Sequence, residues 1–176
     1  MSDEPAADLQ SAWHEYVGGR VYSHASILDV GAGQGKSKAR MSQRGNVVTT
    51  QDINRNLMLC VDIVKPICQI SNLMLSRFDV VTAFDVIEHV PDPEEFLYDV
   101  RKLSTHEAFI TTPNKKFYPA PWHYTIDDML LLIAALPTKQ KFFYGRNRIA
   151  TGDEIFETPL EKMDAVQYFG FRLIWR

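Results

Sequence analysis

Apolar side chains crowd consecutive positions in the runs 27–30, 47–51, 78–84 and 108–112, and two later strand-like runs cover 141–144 and 171–175. Unbroken apolar runs of this length predict parallel strands covered on both faces, where strict alternation would predict a half-exposed sheet. Between the runs the period changes to that of a helix. Leu9, Ala12, Trp13, Tyr16 and Val17 share one helical face, and Gly18 and Gly19 supply a stop. Asp92, Pro93, Glu94 and Glu95 give an N-cap, a first-turn proline and two first-turn acids ahead of Phe96, Leu97, Val100 and Leu103. Thr125 and Asp128 form a capping-box pattern, with Asp where Glu or Gln is usual, before the apolar helix 129–136. Strands alternating with helices imply a doubly wound α/β sheet with helices on both faces. In such sheets ligands sit beyond the carboxyl ends of the strands, which is where residues 29–35 and 84–89 would meet.

The segment 53–77 admits two readings. In one, a helix over 54–64 is followed by a third strand at 67–71. In the other, the third strand is 57–61 and ends on Asp62. The second is favoured because it sets an acid at a strand end, although either leaves a connection shorter than the dozen or so residues usual between parallel strands.

A chain of 176 residues with 45% hydrophobic content suits one well-buried domain. Its net charge of −3 argues against a surface devoted to nucleic acid, but the charge is uneven: −6 over residues 1–100 and +3 over 101–176. Cys60 and Cys68 offer neither a disulfide framework nor zinc-ligand spacing, the first ten residues lack a signal-peptide pattern, and the run 129–136 is far short of the roughly 20 residues that span a bilayer. The expectation is a soluble cytoplasmic protein with no membrane segment.

The stretch ILDVGAGQGKSK over 27–38 comes close to two phosphate loops and matches neither. A P-loop ending at Gly35, Lys36 and Ser37 would need its first glycine at Val30, and the dinucleotide fingerprint would need its third at Lys36. What the stretch holds is Asp29 followed by Gly31, Gly33 and Gly35. Glycines allow close backbone approach, and the acid repels phosphate while suiting an ammonium. Asp52 ends the second strand, the position from which an acid accepts both ribose hydroxyls in nucleoside-binding sheets. A ligand with a ribose, an ammonium and no phosphate fits this pattern. Lys36 and Ser37 then read as a solvated first helical turn.

With ILDVGAGQG, the acid in TTQDIN, FDVVTAFDVIEHVPDP, and TTPN followed by HYTIDDMLLLI, the chain resembles the class I S-adenosylmethionine-dependent methyltransferases over about residues 26–137. It is most similar to the small-domain group that includes the ubiquinone-biosynthesis O-methyltransferases. The resemblance implies a Rossmann-like, mostly parallel sheet with an antiparallel last strand, and S-adenosylmethionine as cofactor. It implies that the loop from Asp29 through Gly31, Gly33 and Gly35 holds the methionine end, Asp52 the ribose and Ile53 the adenine face. Asp62 and Ile63 would meet the adenine edge, and Phe84 and Asp85 would line the methionine side. His89 and His123 are candidate general bases. Some relatives carry Glu-x-x-Glu-His at this point and bind a divalent metal; Asp85, Glu88 and His89 match with Asp for Glu, and His123 would be a fourth ligand.

The sequence departs from this pattern in the turn before the fifth strand, Ser104 to Glu107, in the short connection between second and third strands, and in having little chain ahead of the first strand to cap an acceptor. The acceptor site is therefore expected to be open, completed by residues 113–124, or supplied by a partner subunit. The expected acceptor is an oxygen of a small or saccharide-like molecule. The run KQKFFYGRNR over 139–148 interleaves four basic and three aromatic residues, which reads either as a surface for nucleic acid or as a late strand with basic ends. An inactive cofactor-binding subunit, with helix 129–136 against a partner, is a third reading.

Overall fold

A computed structural model describes residues 10–73, 77–149 and 152–175. Among these residues eight strands form a single sheet: β1 (Ser26–Val30), β2 (Val47–Asp52), β3 (Ile63–Val64), β4 (Phe78–Phe84), β5 (Ser104–Pro113), β6 (Thr138–Ile149), β7 (Gly152–Glu157) and β8 (Tyr168–Trp175), in the order β3-β2-β1-β4-β5-β8-β6-β7. The first five pair in parallel, whereas β8 runs antiparallel to both β5 and β6, and β6 and β7 form an antiparallel hairpin. The order reverses between β1 and β4, which opens a crevice at their carboxyl ends.

The core has two layers, one on each face of the sheet. On one face α3 (Ile67–Leu73), α4 (Pro93–Leu103) and α5 (Ile126–Ala134) bury Ile70, Phe96, Val100, Met129 and Ile133 against β4, β5 and β8. On the other, α1 (Ser11–Gly18) and α2 (Ser37–Met41) bury Trp13, Val17 and Met41 against β1, β2 and β4. The capping signals act as expected: Asp92 accepts a hydrogen bond from the Glu95 amide, and Thr125 with Asp128 closes a reciprocal capping box. Helix α1 begins at Ser11; Leu9 lies outside the described residues.

Two expectations are corrected. The third strand is neither 57–61 nor 67–71 but the two-residue β3, and 67–73 is helical. The apolar run that suggested a strand is a solvent-facing turn in which Met58 is 66% and Leu59 95% exposed. Ser104 to Glu107 form no turn, because α4 passes directly into β5. Buried Ser104 Oγ donates to the Glu107 carbonyl and accepts from Trp175 Nε1 at 2.8 Å, while Arg172 pairs with Glu107 at 2.6 Å, so β8 locks this end of the sheet. The basic run 139–148 takes the late-strand reading, with Lys139 exposed near its start. It lies in β6, where Lys141 donates to the Ile133 carbonyl and Arg146 is fully buried with its guanidinium 4.9 Å from the Tyr168 ring. Among the described residues no helix is long and apolar enough to cross a membrane.

Candidate functional site

The glycine loop leaves β1 and returns to α2 with left-handed backbone at Gly31, Gly33 and Gly35. At Gly35, with φ of 69°, a Cβ would stand 2.1 Å from the Cys60 carbonyl oxygen, so this glycine lets the loop lie against the turn before β3. At Gly33, with φ of 54°, a Cβ would meet nothing within 4 Å and would project into open space. The loop is therefore held from below and open above.

Asp52, at the end of β2, fastens the loop. One carboxylate oxygen accepts from the Gly33 amide and the other from the Asn54 amide, each at 2.9 Å. Gln51 adds a second tie that the sequence did not signal, accepting from the Gly31 amide at 3.3 Å while its amide donates to the Lys65 carbonyl. Beyond these groups opens a cleft of about 320 Å³, with Gly31, Asp52 and Ile53 on one side, Ile67 and Cys68 on a second, and Val86 and His89 on a third. Ile53 is 70% exposed at its rim.

Asp29 sits under the loop, not in the cleft lining. It is 1% exposed, accepts from Thr82 Oγ1 at 2.6 Å, and faces His14 Nε2 at 3.7 Å. Burial pushes its carboxyl up to about 6; the Ser37 and Thr82 hydroxyls oppose this, and the charge of Asp52 adds to it. Burial also pushes His14 down to about 4, with Arg40 in the same direction. Ser37 is fully buried rather than solvated, while Lys36 is exposed as expected. The seating of α1 on this end of the site was not legible, since its apolar spacing reads as packing alone: Trp13 stacks on Phe84 with centroids 6.3 Å apart, and Gln10 donates to the Phe84 carbonyl at 2.8 Å.

Phe84 thus directs its ring into the core, and its carbonyl is taken by Gln10. Asp85 follows with φ of 55°, a left-handed conformation that is strained for a residue with a side chain and tends to mark functional positions. Thr111 Oγ1 donates to its carboxylate at 2.9 Å. Burial holds that carboxyl above the usual range, against the opposing effects of Thr111 and Arg146.

A single 3₁₀ turn over Ile87–His89 follows, and its last two side chains differ in exposure although His89 Nε2 lies 4.0 Å from Glu88 Oε1. His89 turns outward to the first cleft, with its side chain 65% exposed, whereas Glu88 turns inward and is 4% exposed. Burial and the neighbouring Asp85 push Glu88 up to about 8; the Thr112 hydroxyl opposes the shift without closing a hydrogen bond on Glu88 Oε2. A second cleft of about 530 Å³ lies on this inner side, between Glu88, the loop residues Lys115, Trp122, His123 and Tyr124, and Asp128 and Leu131 of α5. The two clefts share Val90 and Pro91. His123 Nδ1 lies 2.5 Å from the Tyr118 carbonyl, which can only accept, so Nδ1 carries a proton, and in the neutral ring the lone pair is on Nε2.

The expected metal set does not assemble. His89 Nε2 lies 4.0 Å from Glu88 Oε1, but among the described residues no three His, Cys, Asp or Glu side chains gather as a ligand group. Asp62 and Ile63 also fall elsewhere than expected. Because β3 begins after Asp62, that carboxylate lies behind the cleft, accepting from the Thr50 amide and hydroxyl and from Lys38.

Residues 6–146 match the family model described as a methyltransferase domain. The ubiquinone biosynthesis O-methyltransferase of Pseudoalteromonas translucida is 32% identical over 124 residues, covering 62% of this chain and 52% of that protein. The one from Coxiella burnetii is 27% identical over 107 residues, covering 52% and 44%. The chain thus matches about half the length of these relatives. A SAM-dependent methyltransferase from Archaeoglobus fulgidus shares the fold, with a TM-score of 0.70 at 17% identity over 96% of this chain and 94% of that one. Glycine loop, strand-end acids and the matched domain agree: this chain belongs to the class I S-adenosylmethionine-dependent methyltransferases.

Proposed function

We propose that the first cleft holds the cofactor and that the second seats a small-molecule acceptor whose oxygen is methylated. The observation that carries this reading is the pair of adjoining clefts, one closed by Asp52 and the glycine loop and the other lined by His123, whose Nδ1 is held by the Tyr118 carbonyl. Asp52 would take the ribose hydroxyls, Ile53 and Val86 the adenine faces, and Ile67 with Cys68 the adenine edge in place of Asp62 and Ile63. Gly31, Gly33, Gly35 and Asp85 would border the methionine end.

Bound S-adenosylmethionine supplies an electrophilic methyl group on a sulfonium. The protein aligns the acceptor oxygen with that carbon and removes the proton the oxygen must lose. His123 Nε2 is placed for the proton, and His89 stands at the cofactor side of the shared rim. Replacing His123 by Ala is expected to lower kcat by about 10²- to 10⁴-fold for an oxygen acceptor, with cofactor affinity retained. A radiolabelled methyl-transfer assay beside calorimetry checks this, and equal loss of cofactor binding would reject the assignment of His123 to the acceptor side. The relatives' acceptor chemistry, O-methylation, is consistent with this reading. The burial of Arg146 takes one of the four basic side chains of 139–148 off the surface.

Asp29 sets an expected pH dependence. Its carboxyl is protonated in the free protein below about 6, and a cationic ligand above the loop favours the ionised form. Affinity for S-adenosylmethionine should therefore rise between pH 5 and pH 7, by about tenfold for each unit below the shifted value, and then level off. The free fold responds in the opposite sense: a carboxyl raised on folding stabilises it at low pH, and that stabilisation is lost as pH rises through about 6. Calorimetric titrations across this range should show the rise in affinity, and Asp29→Asn should flatten it.

A further inference from the structure

We propose that the second cleft selects acceptors bearing an organic cation, a protonated amine or a quaternary ammonium, held between Glu88 and the rings of Trp122 and Tyr124. The inference rests on that cleft being the acceptor seat and goes further by naming the charge of what it takes.

Three acids reach the cleft, Glu88, Glu94 and Asp128, against one cation, Lys115. Glu88 is the informative one. It is 4% exposed, it lines the cleft, and its Oε2 has no hydrogen-bond partner among the described residues. Held protonated below about 8 in the free protein, this carboxyl gains most from a ligand whose positive charge draws it into the ionised form and whose N–H groups then pair with it. A phosphate or carboxylate would instead add like charge. Asp128, at the mouth, has its carboxylate fixed by the Thr125 amide and hydroxyl, so its charge has a set position.

The aromatic residues give the same sign. Trp122 is 55% exposed, an unusual cost for the largest apolar ring, yet its indole is steadied edge-on against His123 with centroids 6.2 Å apart. Tyr124 is half-buried, its hydroxyl 3.4 Å from the Ile87 carbonyl, which leaves the ring as wall. Aromatic faces beside acids attract organic cations through the ring quadrupole, and exposed Leu131 extends an apolar floor for the rest of the ligand.

Three probes that share a hydroxyphenyl ring separate charge from shape: tyramine (cationic), 4-ethylphenol (neutral) and 3-(4-hydroxyphenyl)propionate (anionic). Binding is followed by Trp fluorescence and calorimetry on the full chain with S-adenosylhomocysteine present. Tyramine should bind about tenfold more tightly than 4-ethylphenol, and the propionate weakest. Glu88→Gln should remove most of that preference while leaving S-adenosylhomocysteine affinity unchanged. If Glu88→Gln does not fold, the exposed variants Trp122→Ala and Glu94→Gln carry the test, each cutting tyramine affinity severalfold. Equal binding of the neutral and cationic probes, or preference for the anion, overturns the proposal. Labelled methyl appearing on neutral hydroxyl compounds without charge preference would also overturn it while leaving the acceptor seat standing. Charge-selective binding with no transfer to any bound amine or phenol would uphold the cation site and remove its role as acceptor seat.

Discussion

Replacing Asp52 by Ala is expected to weaken S-adenosylmethionine binding by roughly 10²- to 10⁴-fold, the loss of two hydrogen bonds to a charged acceptor at about 1.5–3 kcal/mol each. Two effects combine. The carboxylate is the group positioned to accept ribose hydroxyls, and it already holds the Gly33 and Asn54 amides at 2.9 Å. Alanine removes the ligand contact and also frees the loop that must cradle the methionine end. Asp52→Asn separates the two, because an amide oxygen can still accept from one backbone N–H but brings no charge. It should fall between wild type and alanine. Calorimetry gives the affinities, and a melting temperature taken without ligand reports how far the loop alone has loosened.

Gly35→Ala should be the most damaging small substitution for stability. A Cβ at φ of 69° and 2.1 Å from the Cys60 carbonyl oxygen combines left-handed strain of about 1–2 kcal/mol with overpacking of about 1–3 kcal/mol. The backbone on both sides is fixed: Gly35 donates to the Ala32 carbonyl at 2.9 Å, and Asp62, two residues after Cys60, is bound to Thr50 and Lys38. The expected drop in Tm is about 5–15 °C. Gly33→Ala shares the strain but not the clash. It should lose less stability while still impairing cofactor binding, because its Cβ enters the open space over the loop. Thermal denaturation and ligand titration of the pair would show stability and binding failing in different variants. Equal stability loss in both would mean that the Cys60 contact is unimportant.

The residues that carried the sheet in sequence are those buried on both faces. Ile27, Leu28, Val80, Val81, Ala108 and Ile110 are all fully buried, so their consecutive apolar pattern reported β1, β4 and β5 faithfully. Strand β3 could not be read this way. Its two residues pair only with Gln51 and Asp52 at the sheet edge, while the louder apolar signal at Met58 and Leu59 belongs to an exposed turn. The error passed directly to the site, since Asp62 was an adenine-edge candidate only if a strand ended there. Strand β7 was missed because GDEIFE over Gly152–Glu157 is an edge strand with charged positions and a weak apolar pattern. At the loop, the spacing of the glycines and the acid at the end of the second strand already placed Gly33 and Asp52 together, and they are joined by a hydrogen bond. The contacts of His14 with Asp29 and of Gln51 with Gly31 depend on long-range packing that no local pattern encodes. The unequal exposure of Glu88 and His89, one buried and one open to solvent, likewise depends on how the 3₁₀ turn packs and not on the motif.

The central claim is that Asp52 and the glycine loop form the seat of a sulfonium cofactor. Isothermal titration of the full chain with S-adenosylmethionine and with S-adenosylhomocysteine tests it most directly. One-to-one binding of both ligands, largely lost in Asp52→Ala, is the predicted result; binding of neither by a folded wild-type protein would contradict it.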